Sequence, residues 1–452
     1  MHRCLTIDEI LTRIMSHMAR RWPKVLSDRE IQMLTAVALT CKTFYQPAVA
    51  ASWASLVGLD RLMHTFPDGV VSLDVTPWAL IRTPLPSEWD RFAHYARCVR
   101  HLDLHEDHAV STTTLEEFTG HMKSQFGDAP AFSNLRSFHG HWHYMKNREL
   151  LTLFLQPGLE TFNVKLRTEV KRGIVKLTSL APNIESMNIQ HMFINELLLL
   201  SPLHRLQSLY CSIDVNPSAA VLDQLQTLSG VVFPALKTVE LHFWEPLSFC
   251  TGIISWLLVS APNLDNLYIR CAQFKATPDA VEQFVTALAA FKGRLTKCSL
   301  RMREPTDNVP IPAHGILSPL HSLGGALHVL DLCDVVLALK EDDLVAIARA
   351  CPNLIGLCLG DKMEETTSVP VTALEEVAAC CPDLEYLGVP LTYANKDLLC
   401  PTFSHPKLRE LRTRCMLYHS SVTHKFARHL FPWAQITPEP FNPYKRVVIR
   451  DC

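Results

Sequence analysis

One hydrophobic pattern recurs along most of the chain. Its clearest copies begin with a Pro-Asn or Pro-Asp pair and continue with apolar residues at a fixed spacing, as in Ala261-Pro262-Asn263-Leu264-Asp265-Asn266-Leu267-Tyr268-Ile269. Weaker copies share the L-x-x-L-x-L core. The first apolar anchors stand at 99, 135, 159, 184, 206, 236, 264, 295, 327, 354, 384 and 408. From 135 onwards the intervals are 22 to 32 residues, so we predict about twelve structural repeats.

The spacing within each copy predicts a strand followed by an outer helix. Alternate residues of a strand face opposite sides, so the leucines face inward and their neighbours line an exposed face. Thr277-Pro278, the pair Thr372 and Glu375, and the stretch Glu341 to Arg349 are typical helix starts ahead of apolar residues at helical spacing. The predicted fold class is α/β, a curved leucine-rich-repeat solenoid with parallel strands inside and helices outside.

Residues 1–57 lack this repeat and predict three short helices. Thr6 with Glu9 and Ser27 with Glu30 form capping-box patterns, and Pro47 is expected to open the third helix. We expect Ile10, Ile14 and Val37 to form the core of this small bundle, which can hardly bury all its apolar residues alone. We therefore predict a helical domain at 1–57, a linker or N-terminal cap at 58–95, the repeat array at 96–415, and a C-terminal cap and tail at 416–452, in which Phe426 to Pro432 cover the last strand.

Composition narrows the class of protein. Hydrophobic residues make up 48% of the 452 residues and charged residues 19%, which excludes disorder as the dominant state. The formal net charge of −2 offers no field for nucleic acid, and no apolar run is long enough to cross a membrane. Acidic residues near the N-terminus argue against a signal peptide, and the 15 cysteines include no C-x-x-C pair. We expect an intracellular protein, cytoplasmic or nuclear, with free buried thiols and no cofactor.

The N-terminal residues resemble a known family. Leu5-Thr6-Ile7-Asp8-Glu9-Ile10-Leu11, then Ala38-Leu39-Thr40-Cys41-Lys42-Thr43-Phe44 and Pro47 to Trp53, are similar to an F-box. More narrowly, the chain resembles F-box/leucine-rich-repeat proteins of the kind common in basidiomycete fungi, and the stretch 89–96 resembles the linker of that group. One position departs from the family pattern, because Asp8 stands where proline is usual.

The resemblance implies a substrate-recognition subunit of an SCF-type (cullin-RING) ubiquitin ligase. Its N-terminal box would bind a Skp-family adaptor, and through it a cullin, while the repeat array binds a protein target. The positions that match the box suggest as adaptor-binding residues Leu5, Ile7, Leu34, Ala38, Cys41, Phe44 and Trp53. The alternative is a leucine-rich-repeat interaction scaffold without a ubiquitin-ligase role, whose helices only cap the open end of the repeats.

The exposed strand positions provide candidate target-binding residues. Tyrosine and arginine often anchor interfaces, and the predicted registers place on neighbouring strands Tyr210, His242, Tyr268, Arg270 and Arg301. The registers also place Asp103 beside His139 and His105 beside His141, so a metal or a pH-sensitive cluster is one hypothesis and solvated residues on an exposed strand the other. No catalytic motif is present, so we predict that the chain is not an enzyme and has no resident metal.

Overall fold

A computed structural model of the protein describes residues 8–18, 26–72, 78–104, 112–127, 129–141, 153–165, 171–214, 230–271, 277–302, 310–360, 369–391, 401, 404–412 and 421–437. The chain divides into two compact units, residues 1–206 and residues 207–452. No helix in the described part is long and apolar enough to span a bilayer.

The first unit begins with helices and continues with parallel strands. Its helices are α1 (Asp8–Met18), α2 (Asp28–Thr40), α3 (Lys42–Trp53), α4 (Asp60–Met63), α5 (Trp89–Ala96), α6 (Thr112–Phe126), α7 (Lys171–Leu180) and α8 (Ile194–Leu197), with 3-10 turns at Pro86–Glu88 and Leu198–Leu200. Its strands are β1 (Ser55–Val57), β2 (Val71–Ser72), β3 (Ala79–Leu80), β4 (His101–Leu104), β5 (Ser137–His141), β6 (Thr161–Lys165) and β7 (Ser186–Phe193). Strands β1, β4, β5, β6 and β7 pair in that order, all parallel, and β2 pairs with β3 antiparallel.

The second unit repeats a strand-then-helix order. Its strands are β8 (Ser208–Asp214), β9 (Thr238–Phe243), β10 (Asn266–Cys271), β11 (Lys297–Met302), β12 (Ile311–Pro312), β13 (Val329–Leu332), β14 (Leu337–Ala338), β15 (Gly356–Leu359), β16 (Tyr386–Gly388), β17 (Glu410–Arg412) and β18 (Gln435–Thr437). Its helices are α9 (Leu247–Ser260), α10 (Pro278–Ala289), α11 (Ala313–Leu320), α12 (Glu341–Ala350), α13 (Ala373–Cys380) and α14 (Ser421–Leu430), with a 3-10 turn at His321–Ala326. All strands except β12 and β14 form one parallel sheet in chain order, and those two pair separately.

The predicted fold class is confirmed, and the pattern of apolar anchors places the strands. Each of the twelve anchors is followed two residues later by the first residue of a strand. In β9, Val239, Leu241 and Phe243 are buried while the residues between them are half-buried, which is the alternation expected for a strand with one face in a core. The helices supply the other side of that core, as α10 does with Val281 and Phe284.

The Asn of the recurring Pro-Asn pair has a structural role. The side-chain amide of Asn263 donates to the carbonyl oxygen of Pro234 in the preceding turn, 2.8 Å away. Asn353 makes the equivalent bond to Gly325 at 2.7 Å. Because a turn carbonyl has no strand partner, an asparagine at this position satisfies it and ties each turn to the one before. In the copy with Asp383, a carboxylate cannot donate, and it pairs instead with Lys407.

The N-terminal helices form, with small differences from prediction. Ser27 caps α2 with the predicted box, since its hydroxyl accepts from the Glu30 N–H and the Glu30 carboxylate accepts from the Ser27 N–H. Pro47 does not open the third helix but lies inside it, because Cys41, with extended backbone, already ends α2 and starts α3. The Thr6 pattern lies outside the described residues. The predicted Thr372 cap is wrong, since Thr372 has helical backbone and makes no side-chain cap.

The core of these helices differs from the predicted one in α1, where the buried residues are the ones that directly follow those predicted. Leu11 and Met15 are buried, whereas Ile10 and Ile14 are 36% and 40% exposed. The buried cluster around Met15 consists of Leu26, Leu34, Ala38, Ala48 and Ala51, with Ile31, Val37 and Val49 packed against it. The prediction of Ile10 and Ile14 as core is therefore wrong, because α1 turns its other apolar stripe towards α3.

Besides the short pairs β2–β3 and β12–β14, two described strands lie beyond the twelve that the anchors predict. Strand β1 follows α3 directly and pairs with β4. At the other end, α14 buries Phe426 and Leu430 and the chain then forms β18, which pairs with β17. The segment from Phe426 onward therefore contributes buried apolar residues, and it is followed by a further strand of the sheet. Its role as a cap over the last predicted strand stays a prediction. The domain boundaries at 57, 95 and 415 stay predictions.

Candidate protein-interaction surfaces

The N-terminal helices leave several large apolar side chains exposed. Ile10 and Ile14 stand four residues apart and therefore share one face of α1. Met33 and Leu39 on α2 are 42% and 78% exposed, and Tyr45 near the start of α3 is 40% exposed. The core of these three helices is built largely from alanines and a few longer side chains, so it is too small to take up this remaining apolar area. We call Ile10, Ile14, Met33, Leu39 and Tyr45 the N-terminal apolar set.

The structure changes the assignment of the predicted adaptor-binding residues. Leu34 and Ala38 are 1% and 8% exposed and belong to the core cluster, so these two predictions are wrong for direct contacts. The α2 stripe that the sequence suggested for a partner is the one that packs against α3. Cys41 and Phe44 are half-buried. Leu5 and Ile7 lie outside the described residues.

Trp53, the last of the predicted adaptor-binding residues, is engaged within its own unit. Its ring stacks on Tyr95 of α5, with 4.2 Å between the ring centroids. The guanidinium of Arg61 lies over the same indole, 4.2 Å from the ring centroid. These contacts hold the end of α3 against the linker, so the role of Trp53 is structural in this arrangement.

In the second unit, the predicted target-binding residues occupy neighbouring positions on one strand face. The register pairs Tyr210 with Glu240 and Glu240 with Tyr268. One step along the strands, His242 pairs with Arg270, and Arg270 with Arg301. The predicted registers of β8 to β11 are thus confirmed. The five candidates lie in two adjacent rows across four strands, and their role in target binding stays a prediction.

Contacts within this face fix several of the side chains. The hydroxyl of Tyr210 lies 3.2 Å from Nδ1 of His242, and the two rings meet edge to face with 4.9 Å between centroids. Nε2 of the same imidazole lies 3.1 Å from Glu240 Oε1. The histidine is therefore held between a phenol and a carboxylate, which gives the face an ordered polar centre.

Arg301 is tied to a neighbouring acid and offers less to a partner than its position suggests. Its guanidinium lies 2.5 Å from Oδ2 of Asp331, and the side chains are 31% and 13% exposed. Burial lowers the pKa of Arg301, but the charge of Asp331, together with smaller contributions from Cys333, Cys358 and Asp334, more than offsets burial and holds that pKa above its usual value. Arg270, in contrast, is exposed. Arg270 is thus the better placed of the two arginines for a partner.

One aromatic residue of this face was missed by the sequence prediction. Trp244 is half-buried, and its indole N–H donates to the hydroxyl of Ser212 at 3.0 Å. The sequence could have indicated it, because every second residue of a strand faces the same side. Trp244 therefore follows Glu240 and His242 on the exposed face. Tryptophan is enriched among residues that dominate binding energy, so Trp244 joins the candidate surface.

The histidine-rich strands of the first unit were predicted to place Asp103 beside His139 and His105 beside His141. Asp103 and His139 are indeed register partners. The ring nitrogens of His139 lie 3.1 Å from Ser137 Oγ and 3.4 Å from Asn163 Nδ2. His105 and the side chain of His141 lie outside the described part. Within the part that is described, the Asp103 and His139 pair belongs to no group of three possible metal ligands.

Comparison with known proteins gives fold-level similarity only. No family model and no curated protein matches the chain. A structure of the Rad7 and Elc1 complex in yeast is 16% identical, with a TM-score of 0.42 over 89% of this chain and 92% of that one. An internalin of Listeria monocytogenes is 15% identical (TM-score 0.37, 70% and 72% covered). A leucine-rich-repeat protein of Leptospira interrogans is 14% identical (TM-score 0.36, 74% and 75% covered).

The architecture itself defines the class. Strands that start two residues after each apolar anchor, pair in parallel and are followed by helices give this chain a leucine-rich-repeat fold. Such repeats present an extended face of neighbouring strands, which suits protein interaction.

Proposed function

We propose that this protein is the substrate-recognition subunit of an SCF-type ubiquitin ligase. The N-terminal helices would bind a Skp-family adaptor, which links them to a cullin, and the strand face around Tyr210, His242, Tyr268 and Arg270 would bind a protein target. The chain itself would carry no step of ubiquitin transfer, so we propose no enzymatic activity for it.

The observation that carries this proposal is the N-terminal apolar set. Three helices whose only task was to cap the repeats would bury their apolar stripes against the unit they belong to. Here α1 leaves Ile10 and Ile14 at its surface, and Leu39 is 78% exposed. Exposed apolar side chains concentrated on one small element are typical of a protein-binding site, and these helices are the part of the chain that resembles an F-box.

The test is binding of a purified Skp-family adaptor to the full chain, measured by calorimetry or interferometry. We expect wild type to bind, and the double variant Ile10→Asp/Ile14→Asp to bind about 30-fold more weakly or not at all, the effect of losing a dominant contact of about 2 kcal/mol. Both substitutions fall on exposed positions, so the helices should stay folded. Leu39→Asp tests the α2 side of the set in the same way.

The matched control is Val259→Asp. Val259 is 65% exposed on α9 in the other unit, so this variant carries the same chemical change at an exposed helical valine. We expect it to bind the adaptor like wild type. If wild type shows no adaptor binding, the ligase proposal fails and the interaction scaffold without a ubiquitin role remains. Equal weakening by Val259→Asp would show that the loss is not specific to the N-terminal helices.

A further inference from the structure

Two thiols and a carboxylate meet where two neighbouring strands of the second unit end. Asp331 on β13 and Cys358 on β15 are register partners. Cys333 follows β13 in the turn. One ligand atom from each of Asp331, Cys333 and Cys358 lies within 4.8 Å of the others, and within the described residues this is the one group of three possible metal ligands.

A glycine on the next strand makes room for one of the thiols. Gly388 on β16 is the register partner of Cys358. A Cβ atom built on Gly388 would lie 2.5 Å from the Cys358 sulfur, a distance that real Cβ atoms do not show. The thiol therefore occupies the space that any other residue at 388 would fill. Glycine within a strand often marks such a close approach.

The carboxylate is already oriented by its neighbours. Oδ2 of Asp331 accepts from the hydroxyl of Ser299 at 3.2 Å and from the guanidinium of Arg301 at 2.5 Å. Oδ1 accepts from the peptide N–H of Cys333 at 3.3 Å. Carboxylates that bind metals are commonly held by a second layer of hydrogen bonds of this kind.

The charges balance in both the empty and the loaded form. Without metal, two neutral thiols stand beside a carboxylate that Arg301 neutralises. A divalent cation would displace one proton from each thiol to solvent and form two metal–sulfur bonds. The cation brings two positive charges and the two protons carry two away, so the net charge of the site does not change. A buried site needs such compensation, and both Asp331 and Cys333 are buried. Cys358 is half-buried, so solvent and an ion can reach the group from its side.

The donor set selects the metal. Two sulfur ligands and one carboxylate disfavour magnesium and calcium, which take oxygen ligands, and favour zinc. Tetrahedral zinc with bonds of about 2.3 Å to sulfur and about 2.0–2.2 Å to oxygen separates ligand atoms by about 3.5–3.8 Å. The ligand atoms lie within 4.8 Å of one another, so closing the group to that size shortens any separation by about 1.3 Å at most. We propose that Asp331, Cys333 and Cys358 bind one zinc ion, with the fourth position open to water or to an external ligand on the strand face.

The test uses the full chain, freed of metal by a chelator and kept reduced, and titrated with Zn²⁺. We expect one tightly held zinc per chain after gel filtration, measured by elemental mass spectrometry. Co²⁺ used in place of zinc should give thiolate-to-cobalt charge-transfer absorption. Both signals should disappear in Cys333→Ser/Cys358→Ser and persist in Cys380→Ser, which removes a half-buried thiol from α13, outside the group.

Gly388→Ala separates a built site from chance binding to thiols. It removes no ligand, but its methyl group displaces the Cys358 sulfur, so we expect zinc to bind about 10- to 100-fold more weakly, as for the loss of supporting groups around other metal sites. Unchanged zinc content in the double serine variant would overturn the proposal. So would the absence of retained zinc in wild type, or a non-reduced peptide map that joins Cys333 to Cys358 by a disulfide in the protein as purified without reductant.

Discussion

The indole of Trp53 stacks on the ring of Tyr95, with 4.2 Å between centroids and 22° between the ring planes. Tyr95 belongs to α5, directly before the first predicted repeat, and Trp53 is the last residue of α3. Arg61, which lies over the same indole, also donates to the Ser52 carbonyl at 2.5 Å. This cluster holds the N-terminal helices against the linker. The sequence had suggested Trp53 as a contact for an adaptor, whereas here its ring is used within the protein.

Trp53→Ala should therefore destabilise the first unit. Losing the stacking and the cation–π contact is expected to lower the free energy of unfolding by about 2 kcal/mol. Chemical denaturation followed by circular dichroism measures this change. The matched control is Trp433→Ala, since Trp433 is 78% exposed and should change stability by about 0.5 kcal/mol or less. Equal effects of the two changes would contradict the structural role of Trp53.

A pair of leucines on α2 separates folding from binding. Leu34 is 1% exposed in the core cluster, whereas Leu39 is 78% exposed. Leu34→Ala should destabilise the N-terminal helices by about 2–5 kcal/mol, the usual cost of truncating a buried leucine. Leu39→Ala should leave their stability unchanged to within about 0.5 kcal/mol. Hydrogen exchange of the α2 amides reports this local stability.

The same pair then tests the binding proposal. Leu39→Ala is expected to weaken adaptor binding without loss of structure, since it removes apolar area from the N-terminal apolar set. If instead only Leu34→Ala weakens binding, and Leu39→Ala binds like wild type, the exposed side chain at 39 takes no part in the interface.

The repeat could be predicted in detail from sequence, for a physical reason. Alternation with a period of two leaves a strand only one choice of buried face, so an anchor such as Leu264 determines both where β10 starts and which residues it exposes. Glu240 and Tyr268 are register partners as that argument requires. Strands β1 and β18 were missed because they lie outside the L-x-x-L-x-L pattern.

The N-terminal helices were harder to predict because α1 carries two apolar stripes. Ile10 and Ile14 form one, and Leu11 and Met15 the other, and the pattern along the helix does not rank them. The choice depends on how α1 meets α3, which is a tertiary contact. The group of Asp331, Cys333 and Cys358 was missed for a related reason, since residues 27 apart in sequence meet only through the pairing of β13 with β15.

The hydrogen bond that an asparagine side chain makes to the preceding turn should contribute measurably to the stability of the protein. Asn263→Ala removes the donor to the Pro234 carbonyl and should cost about 1 kcal/mol. Asn263→Asp should cost more, because a carboxylate in the same place repels that carbonyl. Asn195→Ala, at an exposed position of α8, is the control and should change little. The free energy of unfolding in denaturant measures all three, and an unchanged value for Asn263→Asp would contradict the role of the turn.

The ion pair of Glu88 with Arg82 should make the stability of the linker depend on pH. Hydrogen bonds from Arg82, and then from the Leu85 N–H, lower the pKa of Glu88 from 4.5 to about 2. A carboxylate with a lowered pKa contributes stability above its unfolded pKa and loses that contribution as pH falls through the folded value. The stability difference between wild type and Glu88→Gln should thus be constant above about pH 5.5, roughly one unit above that unfolded value, and shrink between pH 4.5 and 2. A difference that does not vary with pH would contradict the ion pair.

Arg301 and Asp331 form an ion pair whose coupling can be measured in the absence of metal. Arg301→Gln leaves the Asp331 carboxylate, 13% exposed, without its cation and should cost about 2 kcal/mol. Asp331→Asn leaves the guanidinium unpaired, but that group is more exposed, so the cost should be smaller. In the double variant neither charge remains, and the loss should fall about 1–2 kcal/mol short of the sum of the single losses. Denaturant unfolding in chelator measures the cycle, and simple additivity would show that the two side chains do not stabilise each other.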